Sequence, residues 1–236
     1  MKSKNLFLSY IIFFTSLNII ANDEVTIDLG DKNNECKDIT RETLTERYYS
    51  NNFVGTFNGK KIEYTASLKE KIIYEKDDPN LPMASFFYTE YISKDSDQRP
   101  IIFSFNGGPG SASLWLHMGV LGPKVIKVPS DASDDGSPPY NIIDNKLSPL
   151  SDADLVFIDP IGTGYSRAIG CHEGEEFWGV SEDPKIIAEF IRRWITDNKR
   201  WNSPRYILGE SYGGIRGPLL VSELRSGSIT PIEVNG

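Results

Sequence analysis

A serine between glycines is the feature of this sequence that could most directly do chemistry. Ser211 lies at the centre of Gly209–Gly213, which reads G-E-S-Y-G. The run at 205–208 is typical of a buried strand, and the apolar residues at 219–221 predict a helix after the serine. The flanking glycines allow a sharp turn, because a Cβ at either place would clash. We expect the Ser211 hydroxyl to lie at a helix N-terminus, whose dipole favours developing negative charge.

A second glycine-rich segment could complete an acyl-transfer site. The strand-like run 101–105 is followed by N-G-G-P-G at 106–110. Acyl transfer needs two backbone N–H groups directed at the oxyanion, one after the nucleophile and one from a loop after an earlier strand. We therefore predict Tyr212 and Gly108 as the two donors of an oxyanion hole. Each motif alone is compatible with an ordinary turn, but the two in this order indicate that Ser211 is a catalytic nucleophile.

Three motifs together resemble those of the serine carboxypeptidases. Residues 106–113 read N-G-G-P-G-S-A-S, residues 209–218 read G-E-S-Y-G-G-I-R-G-P, and residues 157–166 read F-I-D-P-I-G-T-G-Y-S. The segment Ser111–His117 is similar to bacterial members of that family. The resemblance implies an α/β-hydrolase fold that is C-terminally incomplete, with a mixed, mostly parallel sheet and antiparallel N-terminal strands.

The same resemblance implies a substrate, the C-termini of peptides or proteins. In the family, the Asn of the loop and the Glu before the nucleophile bind the free carboxylate; these are Asn106 and Glu210 here. A glutamate can bind a carboxylate only if the two share a proton, because adjacent anions repel each other. We therefore expect peptide binding at acidic pH. Val120 stands where family members often have a further acidic residue, which leaves room for an esterase or acyltransferase on the same fold.

The general base of such a site is missing from its expected place. The fold delivers its triad in the order Ser, Asp, His, but no Asp and no His follow Ser211 in this sequence. Without a base, a serine hydroxyl is a weak nucleophile. We interpret the chain as the front part of a longer hydrolase, with a non-catalytic remnant as the alternative. His117 is expected to be a packed residue and His172 a loop residue, and neither predicts a metal site or a cofactor.

Composition and the N-terminus indicate compartment and partners. Residues 1–21 combine two lysines, an apolar run and a final alanine, which predicts a cleaved signal peptide and a periplasmic or secreted protein. A short membrane anchor is the alternative; no stable membrane span is expected after cleavage. The net charge of −8 argues against nucleic-acid binding. Cys36 and Cys171 could pair in an exported chain, and the sequence leaves this open.

Local patterns divide the rest of the chain. We predict a linker or pro-like segment at 22–50 and a partial hydrolase domain at 51–236. A hairpin turn is predicted at Asn58-Gly59, and the clearest helix at 181–198, from its apolar spacing. A strand, that helix and the strand before Ser211 form a βαβ unit, so this part of the sheet should be parallel. The predicted strands are 53–57, 61–68, 83–92, 101–105 and 154–159.

Overall fold

The computed structural model of the chain describes residues 39–95, 98–129, 131, 133, 138–226 and 230–236. Its main sheet begins with three antiparallel strands. The strands are β1 (Tyr48–Phe57), β2 (Lys60–Tyr74) and β3 (Pro82–Ser93). Asn58 and Gly59 have φ of 48° and 79°, as a two-residue hairpin turn requires, which confirms the predicted hairpin. β1 begins three residues inside the segment predicted as a linker, and the part of that segment before residue 39 lies outside the described residues.

The parallel half of the sheet carries the predicted motifs at its strand ends. The remaining strands are β4 (Ile101–Phe105), β5 (Lys124–Ile126), β6 (Ile142–Asp144), β7 (Asp154–Ile158), β8 (Arg167–Ala168) and β9 (Arg205–Gly209). The strand order of the main sheet is β1-β2-β3-β7-β4-β9, with β7, β4 and β9 parallel to one another and β7 antiparallel to β3. β8 also pairs with β3, while β5 and β6 form a separate two-stranded sheet. This mixed sheet confirms the predicted arrangement.

The helices lie in the connections after β4, between β8 and β9, and after β9. Among the described residues, α1 (Leu114–Leu116) runs into a π-helical turn, His117–Leu121. α2 (Glu182–Asp197) confirms the helix predicted at 181–198, and α3 (Gly213–Ser226) begins two residues after Ser211, where a helix was predicted to follow the turn. None of the helices in the described ranges is long and apolar enough to span a membrane. The predicted signal peptide lies outside these ranges.

Two apolar layers cover the two faces of the sheet. On one face, α2 and α3 bury Phe190, Trp194 and Leu220 against Phe103 of β4. The ring of Trp194 meets Phe103 edge to face at 5.3 Å. Phe157 of β7 points into the other layer with seven further buried residues, Phe57, Ile62, Tyr64, Tyr91, Leu116, Leu150 and Leu155. Apolar burial on both faces is typical of parallel strands and keeps the strand ends in fixed positions.

A buried ion pair joins the N-terminal ends of the parallel strands. Asp154, the first residue of β7, accepts hydrogen bonds from Arg200 at 2.7 Å and from Arg99 at 3.2 Å. Arg200 also donates to the main-chain carbonyl of Arg99 at 2.7 Å. Both Asp154 and Arg200 are almost fully buried. Because Arg99 precedes β4 and Arg200 precedes β9, this pair connects all three strands.

The outer side of β9 is covered by the segment 232–236. The amide of Asn235 donates to the Arg205 carbonyl at 2.7 Å, and the Gly236 carbonyl accepts from the Ile207 amide at 2.9 Å. Ile232 is buried in the same layer as Trp194. The segment therefore bonds to β9 like a strand, although it is too irregular to be counted as one.

His172 joins two acidic side chains from separate segments. Its Nδ1 lies 2.8 Å from Glu176, and its Nε2 lies 2.9 Å from Glu75, which follows β2. Partial burial alone would lower the pKa of His172, but the hydrogen bonds and the charges of the two carboxylates outweigh it and raise the pKa. The neighbouring Cys171 is disulfide-bonded; the chain's other cysteine, Cys36, lies outside the described residues.

The His172 contacts predict a pH-dependent contribution to stability. A group whose pKa is raised on folding stabilises fully below its unfolded pKa of about 6.5, and this contribution is lost as pH rises through the folded pKa. His172→Gln should therefore lower the free energy of unfolding more at about pH 5.5 than at about pH 9. Urea unfolding of both proteins at the two pH values measures this. A difference that is independent of pH would contradict it.

Candidate active site

Ser211 occupies a strained turn between β9 and α3. Its φ is 57°, in the left-handed region that residues with a Cβ rarely adopt. Such a conformation costs about 1–3 kcal/mol and persists only where the surroundings enforce it. Here the Gly213 amide donates to the Glu210 carbonyl at 2.8 Å and the Gly214 amide to the Ser211 carbonyl at 2.8 Å. The serine side chain is exposed, as a nucleophile on a sharp strand-to-helix turn should be.

Two glycines make room for this turn. A Cβ on Gly209 would lie 2.3 Å from the carbonyl oxygen of Gly213. A Cβ on Gly107 would lie 2.4 Å from the amide nitrogen of Tyr212 and 2.6 Å from the carbonyl oxygen of Glu210. These distances are far below van der Waals contact, so only glycine fits at either position. The structure thus brings the loop after β4 directly against the turn after β9.

Gly108 and Tyr212, the two predicted oxyanion donors, follow this contact on the two segments. Gly108 is exposed, with φ of 106°, and the turn around it is closed by the Ser111 amide, which donates to the Gly107 carbonyl at 3.1 Å. Tyr212 is half-buried. The amide nitrogen of Tyr212 is the atom that a Cβ added at Gly107 would approach most closely. The oxyanion role of the two residues stays a prediction.

Asn106 and Glu210 lie in hydrogen-bond contact. The Asn106 side-chain amide donates to Glu210 Oε2 at 3.1 Å. Asn106 is fully buried, and its Oδ1 accepts from the Leu116 amide at 3.0 Å, which fixes the orientation of the side chain. Glu210 is exposed and immediately precedes Ser211. The structure therefore places a side-chain amide and a carboxylate next to each other, and the carboxylate belongs to the residue before the candidate nucleophile.

Asp159 and Ser113 hold the loop after β4 to the end of β7. The Ser113 amide donates to Asp159 Oδ1 at 2.8 Å, and the Ser113 hydroxyl donates to the Ile158 carbonyl. Burial raises the pKa of Asp159, and the hydrogen bond from Ser113 partly opposes this. Both residues lie within the motifs named above, but those motifs alone indicated no role for either of them. The available signal was an acidic residue directly after a buried strand.

Arg216 is a further site residue that was not predicted from the sequence. Its Nε donates to Asp183 of α2 at 2.6 Å, and its Nη1 donates to the Asn106 carbonyl at 2.7 Å. Both side chains are buried. Burial raises the pKa of Asp183, while the charge of Arg216 partly offsets that effect. An arginine one turn beyond the serine, on the first turn of a helix in contact with the core, was the signal in the sequence.

Both histidines are engaged with partners other than Ser211. His117 Nε2 lies 2.6 Å from the Tyr91 hydroxyl, and the ring stacks on Phe157 at 4.6 Å. Burial lowers the pKa of His117 to about 4, so the ring is neutral at ordinary pH. The prediction that His117 is a packed residue is confirmed. His172 uses both ring nitrogens on carboxylates. In the part of the chain that the structure describes, no cluster of three or more potential metal ligands occurs.

The contact between the two glycine-rich segments predicts the effect of adding one methyl group. Gly107→Ala should lower the free energy of unfolding by about 1–3 kcal/mol, because the new Cβ meets main-chain atoms that cannot move independently. Gly214→Ala is the matched control, since nothing lies within 4 Å of its Cβ position. In a helix this change should be neutral or stabilise by up to about 1 kcal/mol. Equal unfolding midpoints for Gly107→Ala and the unmodified chain would contradict the close contact.

The chain is similar to several known proteins. The chain is 29% identical to serine carboxypeptidase-like 9 of Arabidopsis thaliana over 157 residues, and 27% identical to serine carboxypeptidase-like 5 of the same plant over 159 residues. Both alignments cover 64% of this chain and 34% of the relative. The chain thus spans about a third of the length of these relatives. A predicted CIB-like hydrolase from Thermoplasma acidophilum is similar over 72% of this chain and 60% of that one, with a TM-score of 0.38 and 20% identity.

The family assignment rests on a match across most of the chain. The sequence profile of the serine carboxypeptidase family matches residues 72–234, which include all three motifs. The mixed sheet, with Ser211 on the turn between β9 and α3, is that of an α/β-hydrolase. This chain therefore belongs to the serine carboxypeptidase family.

Proposed function

We propose that Ser211 is the nucleophile of an exported serine-type carboxypeptidase that removes C-terminal residues from peptides or proteins. The observation that carries the proposal is the Asn106–Glu210 hydrogen bond of 3.1 Å beside an exposed serine in a left-handed turn. A simple esterase would need the serine and the oxyanion donors, but it would not need a carboxylate next to the nucleophile. The predicted signal peptide at 1–21 supports export.

The proposed reaction proceeds through an acyl-enzyme. The Ser211 hydroxyl oxygen attacks the carbonyl carbon of the last peptide bond, while its proton passes to a general base. The resulting oxyanion accepts hydrogen bonds from the amides of Gly108 and Tyr212. The C–N bond then breaks, the C-terminal amino acid leaves with a proton on its amine, and water hydrolyses the ester on Ser211. The exposed turn leaves space for a peptide chain to approach the serine.

Carboxylate recognition in this proposal depends on one shared proton. Glu210 and the substrate carboxylate would repel each other if both were ionised, so they bind as a pair with a single proton between them. The Asn106 amide can donate to the same carboxylate, since burial and the Leu116 amide already fix its orientation. Binding of free C-termini should therefore weaken as pH rises above the acidic range.

Neither of the two histidines is placed to act as the general base of Ser211. The ring nitrogens of His172 both face carboxylates, and His117 is buried against Phe157 with its Nε2 at the Tyr91 hydroxyl. Neither histidine can therefore accept the Ser211 proton without leaving its partners. We infer that Ser211 is correctly presented but weakly activated in this chain, so that supplying a base restores its reactivity.

An esterase or acyltransferase on the same fold is the second candidate. Val120 occupies the position where a further acidic residue is expected, and its side chain is 58% exposed. An apolar side chain there cannot help to bind a carboxylate. In an esterase or acyltransferase, reaction at Ser211 would not depend on a free C-terminal carboxylate in the substrate. A non-catalytic remnant, in contrast, would show no reaction at Ser211 under any condition.

Chemical supply of the base tests the proposal. We expect a fluorophosphonate probe to label Ser211 slowly, and imidazole to raise the rate by about tenfold, a part of the 10²–10⁴ that a positioned base provides. Intact-protein and peptide mass spectrometry measure the rate and the site. Ser211→Ala should abolish labelling, and His117→Gln should leave the rate unchanged. No labelling even with imidazole would contradict a nucleophilic Ser211.

Competition separates the carboxypeptidase from the esterase. An N-blocked dipeptide with a free carboxylate should slow labelling at about pH 5, whereas its C-terminal amide should not. In Glu210→Gln, protection by the free acid should no longer depend on pH, because a neutral amide needs no shared proton with the substrate carboxylate. Equal protection by the free acid and the amide would support the esterase or acyltransferase instead.

A further inference from the structure

We propose that Arg216, held by Asp183, is a positioning residue that sets the two halves of the oxyanion hole relative to each other; this inference rests on the proposed function. One guanidinium group touches both segments that carry the predicted donors. Its Nη1 donates to the Asn106 carbonyl at 2.7 Å, in the loop that leads to Gly108. Its central carbon, Cζ, lies 5.4 Å from the ring centre of Tyr212, whose amide is the other predicted donor.

The contact with the loop fixes a peptide plane. The peptide unit between Asn106 and Gly107 is planar, so its carbonyl and its N–H point in opposite directions. A charged donor on that carbonyl therefore fixes the orientation of the whole unit, and with it the start of the next peptide, which carries the Gly108 amide. Gly107 has no side chain that could restrict its backbone. Arg216 supplies from α3 the restraint that the glycine itself lacks.

The guanidinium also lies close to two aromatic rings, one from each segment. Arg216 lies over the ring of Phe105 at 5.2 Å as well as over Tyr212 at 5.4 Å. Phe105 is the last residue of β4, and its carbonyl accepts from the Glu210 amide at 3.3 Å. The guanidinium is therefore enclosed between the end of β4 and the beginning of α3. A movement of either segment relative to the other would disturb these contacts.

Asp183 compensates the buried charge of Arg216 and fixes the orientation of its guanidinium group. Arg216 is 2% exposed, and an unpaired charge at that depth would be strongly unfavourable. The 2.6 Å bond from Nε to Asp183 leaves the Nη1 atom directed at the Asn106 carbonyl. A lysine could keep the charge, but it lacks the planar group that donates in two fixed directions. Arg216→Lys should therefore retain the pairing and lose the positioning.

A second ion pair of the same design provides a matched control. Arg200 pairs with Asp154 at 2.7 Å and donates to the main-chain carbonyl of Arg99 at 2.7 Å. It is as buried as Arg216, but it lies at the N-terminal ends of the parallel strands, at the opposite edge of the sheet from Ser211. Arg200→Lys should thus disturb the fold to a similar degree without disturbing the candidate site.

The experiment compares Arg216→Lys, Asp183→Asn and Arg200→Lys in the full chain. Fluorophosphonate labelling in the presence of imidazole gives the maximal inactivation rate and the half-saturating probe concentration separately. Hydrogen exchange of the segment 106–116 is measured in the same proteins, and each result is compared at equal loss of thermal stability. We expect Arg216→Lys to lower the maximal rate by at least about tenfold, because small misplacements can cost up to 10²-fold. Asp183→Asn should act in the same direction but less.

Each result supports or overturns the positioning role. Faster exchange at 106–116 and a lower maximal rate in Arg216→Lys, with both unchanged in Arg200→Lys, support it. Equal effects in the two lysine variants at matched stability overturn it, since both arginines would then be merely structural. Normal labelling and exchange in Arg216→Lys also overturn it while leaving the proposed function intact. If the unmodified chain is never labelled, the proposed function fails, and faster exchange in Arg216→Lys alone then still supports Arg216 as the restraint on the loop.

Discussion

The close approach of two backbone segments is the constraint on which the rest of this site depends. Gly107 lies so near the Tyr212 amide that no side chain could stand between them, and Ser211 is held in a left-handed conformation on the same turn. Neither feature is favourable in isolation. Both persist because β9 runs parallel to the adjacent strand β4, which is almost entirely buried, so the ends of the two strands have little freedom to separate.

Hydrogen bonds from buried polar groups fix the geometry of this contact. Asn106 is fully buried, yet its side chain both accepts and donates a hydrogen bond, and its main-chain carbonyl is bound by Arg216. Asp159 holds the far end of the same loop through Ser113. All these groups lie at the carboxyl ends of the parallel strands, which is where ligands bind in open α/β sheets. The opposite edge carries the Asp154 pair, which serves the sheet and not the site.

The sequence predicted those elements whose causes are local. The apolar spacing of α2, the Asn58-Gly59 turn and the glycines around Ser211 each depend on neighbours a few residues apart, and all are present in the structure. The ion pair between Arg216 and Asp183 could not be found in this way, because its partners are 33 residues apart and follow no period. The start of β1 was predicted late, because the first residues of β1 are exposed and polar or aromatic, without the alternation that marks a half-buried strand. The family resemblance supplied the roles of Asn106 and Glu210, which no local pattern contains.

In the proposed site, two distant amides and one serine oxygen are directed at the same point. A crystal structure of the Ser211 adduct with a fluorophosphonate tests it directly, because the phosphoryl oxygen takes the place of the oxyanion. We expect this oxygen to lie about 2.7–3.1 Å from the amide nitrogens of both Gly108 and Tyr212. A phosphoryl oxygen in solvent, with neither amide within hydrogen-bond distance, would contradict it.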